Sequence, residues 1–500
     1  MGIGADEPPE SQHLDERRSG QPELRQTADE GGNRPLPGTA LPRAGVHAAR
    51  RGVRHGRGRY PVLVLPSARA APTSEGHVAP RRDGAGENGV AQVVQPNEPG
   101  VGIENRPRPN HRSGIVRMDS ADVVVIGAGV SGLTSAYYLA KAGKDVVVVE
   151  KGTVGGEASG RNGGMISERV DEPPMIPMAV ESLKIWPTLD DELGYPTEFT
   201  HEGRLQVAVS EEEMGDLFKE RDEALRNGLS VEQLDPSEVQ DLIPGITGRT
   251  LGGLFFANGG HANPQRSVQA FAWAFQDLGG RLYQQTAVTG MKVVDDRVTT
   301  VETTAGPIAA DVVVAAAGPQ TGLLADMVGV HVPVAPARVE IIATAALDPL
   351  FDIAIVGNGL YGRQAARGNL LFGGGPHEWI DVGLTSEPGK PNTPLIGNIA
   401  RRLAELLPGV ADVPVIRSWA GVVEQAPDYL PIIDIPDSPN NYVVVTASAH
   451  GFGISPATGK AVSELVLYGE SNIDISGLGL GRFSDVGRDW REERGWIPVA

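Results

Sequence analysis

The sequence contains no cysteine. Disulfides, Cys-ligated zinc, Cys-ligated iron–sulfur clusters and a cysteine nucleophile are excluded by that absence. No apolar run approaches the roughly 18 residues that a bilayer span requires, and the chain reads as cytoplasmic. Positive charge is in deficit: 44 Lys plus Arg stand against 63 Asp plus Glu, a formal net of −19. That balance argues against nucleic acid or an anionic membrane as the main partner. The 500 residues, 40% of them hydrophobic, suffice for roughly two to four domains.

Residues 1–117 lack still more. They hold no Phe, Trp or Lys and a single Tyr (Tyr60), with 17 Arg against 13 acidic residues. Their net is +4, which leaves 27 basic and 50 acidic residues, or −23, for the remainder. Such a composition cannot build a core, and a disordered leader is expected. The stretch 59–71 loosely resembles a signal peptide, but its apolar piece is too short and too far from the N-terminus. The expected start of translation is Met118, just before the first strand.

From Asp122 the character changes. Val123-Val124-Val125-Ile126 is a continuous β-branched run, as in a buried parallel strand. Gly127-Ala128-Gly129-Val130-Ser131-Gly132 follows, then an amphipathic helix over 133–142 with Gly143 as its stop. A second buried strand, 145–149, leads to Glu150 and Lys151. Gly127 suits the tight turn, Gly129 the close approach of backbone to a pyrophosphate, and Gly132 the packing of helix on strand. The helix N-terminus offers free N–H groups to the phosphates. Glu150 is spaced to accept hydrogen bonds from ribose hydroxyls. The pattern specifies a dinucleotide without separating FAD from NAD.

The next segment separates them. Thr153-Val154-Gly155-Gly156-Glu157-Ala158-Ser159-Gly160-Arg161-Asn162-Gly163-Gly164-Met165 resembles the flavin-proximal loop of the FAD-dependent D-amino-acid oxidase/sarcosine oxidase superfamily. The resemblance runs over roughly residues 118–485. It continues through Gly259-Gly260-His261-Ala262-Asn263-Pro264 with its helix 265–278, through Val288, and through 311–317 with Gly318-Pro319. It ends in Trp419-Ala420-Gly421 with 427–432 and in His450-Gly451-Phe452-Gly453 with 454–459. Glycine and sarcosine oxidases and the β subunits of heteromeric dehydrogenases look nearest.

The resemblance implies an α/β fold with a discontinuous Rossmann-type FAD-binding domain over 118–170, 258–335 and 415–485. A substrate domain with an antiparallel sheet is expected over 171–257 and 336–414, and a tail over 486–500. Strands are expected at 201–209, 253–257, 338–343 and 369–373, and helices at 211–227 and 394–407. The implied cofactor contacts are Gly127, Ala128, Gly129, Val130, Ser131, Gly132, Glu150, Lys151, Ala158, Ser159, Arg161, Asn162, Gly163, Gly164, Val288, Ala317, Gly318, Gly421, Gly451, Phe452 and Gly453.

The implied chemistry is oxidation of a C–N bond: hydride passes from the carbon alpha to an amine to flavin N5, and the imine hydrolyses. The flavin carries that chemistry, with no metal and no protein nucleophile. His450 is the first candidate beside the flavin, with the N–H groups of Phe452 and Gly453 supporting developing charge. Arg161 and Arg363 are the candidates for a substrate carboxylate, whose planar geometry a guanidinium matches. Tyr361 adds a hydroxyl. Arg338 and Arg367 rank below these, and His261 and His377 read as structural.

Departures from the family's pattern narrow the reading. Where glycine oxidases carry a carboxylate-binding Arg, this chain has Val422-Val423-Glu424-Gln425; Glu424 suits instead an ammonium or second basic group on the substrate. Gly421 stands near the Cys to which monomeric sarcosine oxidases attach FAD, so non-covalent FAD is expected. Gln265, Arg266 and Ser267 stand where heterotetrameric enzymes link FMN to a His. Gly453 replaces a Lys that aids reaction with oxygen. A dehydrogenase passing electrons to a carrier or partner subunit is therefore favoured over a peroxide-producing oxidase. A non-catalytic flavin-binding subunit remains the third reading.

Overall fold

Alternation along the first strands sets the architecture. In the computed structural model, which describes residues 120–168, 172–385 and 389–498, β1 (Ser120–Ile126) leads through helix α1 (Val130–Lys141) into β2 (Val146–Val149). Val123 and Val125 enter one core cluster, while Val124 and Ile126 enter another on the opposite face. Val146 and Val148 divide from Val147 and Val149 in the same way. A strand whose successive side chains must all be apolar is covered on both faces. The expected leader and the start at Met118 lie outside the described residues.

The chain continues through α2 (Ala158–Arg161), β3 (Met165–Ile166), α3 (Ile176–Ile185) and α4 (Leu189–Leu193). Next come β4 (Arg204–Ala208), α5 (Glu211–Arg226), β5 (Glu232–Leu234), α6 (Pro236–Leu242) and β6 (Gly252–Phe256). β7 (Gly260–His261) pairs with β3, and α7 (Pro264–Asp277) packs on α1. The run β8 (Arg281–Tyr283), β9 (Val288–Val294), β10 (Arg297–Thr303) and β11 (Gly306–Ala315) ends at α8 (Thr321–Asp326). The rest comprises β12 (Ala335–Ala346), β13 (Ala354–Gly357), β14 (Leu360–Gln364), β15 (Asn369–Trp379), α9 (Thr393–Leu406), β16 (Val415–Gln425), β17 (Ile433–Asp434), β18 (Tyr442–Val445), α10 (Gly451–Tyr468) and α11 (Trp490–Glu493).

The first large sheet runs β17-β18-β11-β1-β2-β8, with β10 and β9 added beside β11. Its central strands β18, β11, β1, β2 and β8 are mutually parallel, with α1, α7 and α10 on one face. The second is eight-stranded, β16-β12-β15-β14-β13-β4-β6-β5. It departs from the expected antiparallel sheet in one pair, because β13 runs parallel to β4. All four strands and both helices expected in the inserts form, as β4, β6, β12, β15, α5 and α9.

Two boundaries differ from the sequence reading. Residues from Val415 were expected to return to the dinucleotide-binding segment. Instead β16 pairs along β12 from Ala335↔Gln425 to Thr344↔Val415 and closes one edge of the second sheet. That ladder pairs one side of its backbone, while its C-terminal end reaches the first sheet's cleft. Residues 486–498, read as a tail, carry α11 and bury Trp490 and Trp496; the Trp496 ring stacks on Trp379 with centroids 4.0 Å apart. Among the described residues, no helix is long and apolar enough to cross a membrane.

Candidate functional site

The turn after β1 is shaped by what cannot fit there. Gly127 has φ +108°, and a Cβ on it would lie 2.4 Å from the Ala316 carbonyl oxygen. A Cβ on Gly132 would lie 2.0 Å from the Gly127 carbonyl oxygen, so α1 sits directly on the turn. Gly129 is the N-cap of α1 and offers no side-chain cap. Ser159 supplies one from the next loop: its Oγ accepts from the Val130 N–H at 2.9 Å. Glu150 holds the turn from the other side, its two oxygens accepting from the Ala128 N–H at 2.8 Å and the Gly152 N–H at 2.7 Å.

A cleft enclosing about 1190 Å³ opens above this turn. Its walls include Gly127, Ala128, Gly129, Val130, Ser131, Glu150, Lys151, Ala158, Ser159, Asn162, Val288, Ala317, Gly318, Gly451 and Phe452. Glu157, Thr286, Gln320, Val422 and Glu424, which the sequence reading did not assign to a cofactor, also line it. A glycine-walled turn, an open helix N-terminus and a carboxylate at the end of β2 are what a ribose–pyrophosphate requires. The residues present fit such a group.

A second cavity of about 1270 Å³ shares Ala158, Asn162, Val423, Ala449 and Phe452 with the cleft, so the two spaces meet. Arg161, Gly163, Tyr361, Gly421, His450 and Gly453 line this second space and not the first. Gly132, Gly164 and Arg363 line neither.

Several expected roles change. Arg161 donates from Nη1 to the Ala420 carbonyl at 2.8 Å, and the Trp419 Nε1–H donates to the Arg161 carbonyl at 2.7 Å. Its side chain therefore stitches the loop to β16. Arg363 is 5% exposed and donates from Nε to the Gly163 carbonyl at 3.0 Å; it braces the loop from behind instead of facing a substrate. Burial lowers its pKa to about 10. Glu424 faces the dinucleotide cleft, not the second cavity, and its Oε1 accepts from the Ala447 N–H at 2.6 Å. Burial raises its pKa. A substrate ammonium in the second cavity would not meet it.

His450 is the N-cap of α10, and its Nε2 lies 3.0 Å from Glu172 Oε1. The helix begins at Gly451, so Gly451, Phe452 and Gly453 lie in its first turn. Its amides have no intrahelical acceptor. The chain reaches that turn through Ser448 and Ala449, both left-handed at φ +46° and +66°, a strained approach of the kind that concentrates at functional sites. Trp186, 1% exposed, fixes the turn: its Nε1–H donates to the Gly453 carbonyl at 2.8 Å. Tyr361 keeps its proton, since burial pushes its pKa up to about 12. His377 lines the second cavity, its pKa lowered by burial and then by neighbouring His450.

His261 lies outside both cavities. Its Nε2 is 3.0 Å from the Asp352 carbonyl, and burial, then the Arg363 charge, lowers its pKa to about 4. A histidine depressed in the folded state contributes stability that is complete above pH 6.5 and is lost as pH falls toward about 4. His261→Asn should flatten the acid limb of a stability–pH profile, by up to about 3 kcal/mol. Denaturant midpoints measured across that window check this; an unchanged acid limb would refute it.

Sequence reasoning missed Arg204, Gln206 and Glu220, which also line the second cavity. The signal was available in β4, Arg204-Leu205-Gln206-Val207-Ala208: Leu205 and Val207 enter a core cluster, while the alternate polar residues face the cavity.

The FAD dependent oxidoreductase family model matches residues 122–465. The sarcosine oxidase subunit beta of Rhodobacter capsulatus is 30% identical over 373 residues, covering 73% of this chain and 89% of that protein. The glycine oxidase of Geobacillus kaustophilus is 29% identical over 375 residues, covering 72% and 97%. The crystal structure of that glycine oxidase superposes with a TM-score of 0.68 at 26% identity, covering 72% of this chain and 98% of its own.

Proposed function

This chain belongs to the FAD dependent oxidoreductase family, and we propose that it oxidises the C–N bond of an amino acid or secondary amine and passes the electrons to an acceptor other than oxygen. The observation that carries the reading is the junction of the two cavities at Ala158, Asn162 and Phe452. A substrate in the second cavity lies against whatever occupies the adjoining end of the cleft. FAD, when bound, supplies the electron acceptor that the protein's side chains lack.

Gly127 and Gly129 admit the pyrophosphate to the amides of α1, and Glu150 serves the ribose. Val288 and Thr286 line the far wall. Ala158, Ser159, Asn162 and Gly163, with the first-turn amides of α10, support the end that meets the second cavity. Arg161 and Arg363 hold that loop in place through backbone carbonyls. With no cysteine in the sequence, FAD is held without a thioether. His377, kept neutral by burial, accepts a hydrogen bond from the substrate nitrogen, which must carry a free lone pair before the C–N bond is oxidised. Tyr361 donates its hydroxyl proton in a hydrogen bond to the substrate, and His450, oriented by Glu172, closes the wall beside it.

The acceptor assignment rests on Gly453. A Cβ there would lie 3.1 Å from the Met165 carbonyl oxygen and 3.4 Å from the Ile166 Cα. The position leaves a lysine little room, and a lysine that aids reaction with oxygen is what monomeric sarcosine oxidases carry there. A quinone, a carrier or a partner subunit is the expected acceptor; the relative from Rhodobacter capsulatus is itself a β subunit.

Anaerobic titration with a panel of primary and secondary amino acids tests both parts. At least one should bleach the flavin, and a quinone or dye should restore its colour about tenfold faster than air or more. Absence of bleaching by every member would favour a flavin-binding subunit without turnover. Rapid reoxidation in air with peroxide release would favour an oxidase.

A further inference from the structure

Arg204 occupies an unusual position for a cation. It is 6% exposed, lies on β4 and lines the second cavity. Its guanidinium carbon sits 4.6 Å from the centre of the Phe256 ring, which supports one face. Nη1 donates to Gln206 Oε1 at 3.1 Å, and Gln206 Nε2 donates in turn to Glu220 Oε1 at 2.7 Å. The Arg204 Nε has no hydrogen-bond partner. Among the described residues, no carboxylate forms an ion pair with Arg204.

Glu168, whose charge Arg204 feels, makes no direct contact that would compensate it. Glu168 is 1% exposed, and neither of its oxygens has a hydrogen-bond partner. Burial raises its pKa, against the opposing pull of Arg204, and no hydrogen bond joins its oxygens to the guanidinium. A buried cation without an anion is costly and is seldom retained as packing alone. The second cavity's other guanidinium, Arg161, is engaged with the Ala420 carbonyl.

We propose that Arg204 is the carboxylate-binding residue of the second cavity, and that Gln206 and Glu220 are positioning residues that fix its orientation. The assignment rests on the reading of this cavity as the substrate cavity. Gln206, anchored by Glu220, turns its amide oxygen toward Nη1. Phe256 fixes the plane of the guanidinium. The Nε is buried and unpartnered, and the guanidinium lines the cavity, so its charge and remaining donors can serve a carboxylate, whose geometry a guanidinium matches. The subsite thus supplies from β4 what Val422-Val423-Glu424-Gln425 lacks, a guanidinium for a carboxylate.

Calorimetric titration of the flavin-loaded protein with benzoate and with benzamide tests this, because the two differ in charge and little in shape. Wild type should prefer benzoate. Arg204→Met should weaken benzoate by about 10- to 100-fold while leaving benzamide within about twofold. Arg204→Lys should weaken benzoate less and retain the preference. Gln206→Leu, which keeps the charge and removes its support, should fall between wild type and Arg204→Met. If Arg204→Met does not retain flavin, the Lys and Leu variants carry the same comparison. Equal benzoate affinity in wild type and the Arg204 variants overturns the proposal. So does parallel loss of both probes, which would mark a structural role, or a flavin-loaded wild type indifferent to benzoate. Benzoate discrimination that depends on Arg204, in a protein that no amine bleaches, would sustain the subsite and sink the functional reading alone.

Discussion

Gly132→Ala leaves the protein unable to retain FAD. A single methyl at this position would stand 2.0 Å from the Gly127 carbonyl oxygen and 3.4 Å from Val125 Cγ1. The obstructing atom is backbone, so no rotamer change relieves the contact. Either α1 lifts from β1 or the turn moves, and each displaces the amides of Ala128, Gly129 and Val130 together. The same turn is pinned by Glu150 through the Ala128 N–H and by Ser159 through the Val130 N–H. The expected result is soluble but colourless protein, or a loss of FAD affinity of about 100-fold or more, on the order of 3 kcal/mol. The ratio of flavin to protein absorbance and a fluorescence titration with FAD measure it. Gly215→Ala is the control. Gly215 lies inside α5 with nothing within 4 Å of an added Cβ, and the exchange should stabilise the helix by about 0.5–1 kcal/mol. Flavin retention by Gly132→Ala equal to that control would overturn the account of the turn.

Trp186→Ala should cost about 3–5 kcal/mol of stability, the range for emptying a buried aromatic site. The ring is 1% exposed and packs against Phe199 and Phe452 at centroid distances of 5.8 and 5.3 Å. Its indole N–H also holds the Gly453 carbonyl at the start of α10. Two effects are thus combined, and Trp186→Phe separates them. That variant keeps most of the packing and leaves the Gly453 carbonyl without its donor, at a cost of about 1–3 kcal/mol. Both variants should also weaken FAD, since Gly451 and Phe452 line the cleft. Denaturant unfolding with and without added FAD measures both effects. If Trp186→Phe matches wild type in stability and in flavin retention, the indole hydrogen bond does not position the turn.

Much of the first sheet was legible because its signals are local. Continuous β-branched runs mark β1 and β2, and the glycines between them fall at the spacing of a dinucleotide turn, although only Gly132 is constrained by a neighbour within a few residues. The same holds for β4, β6, β12, β15, α5 and α9, whose periodicity or length identifies them one element at a time. The assignment of β16 failed for the opposite reason. Residues 415–425 are apolar enough for either sheet, and the choice depends on the free edge that β12 offers. Residues 486–498 look like a tail until Trp379 supplies a ring for Trp496 to stack on.

The sequence by itself determined the dinucleotide turn, its helix and its terminal acid, because strand alternation and the glycine spacing are patterns written over short spans. It also excluded cysteine chemistry and pointed to FAD through the loop after β2. Only the tertiary structure decided what each arginine does. Arg161, Arg204 and Arg363 are chemically alike, but their roles follow from the partners that distant segments bring to them. The Ala420 carbonyl takes up Arg161, the Gly163 carbonyl takes up Arg363, and Gln206 takes up one nitrogen of Arg204. A guanidinium reaches several ångströms from its backbone, and which group it meets there is fixed by long-range packing, which no local pattern encodes.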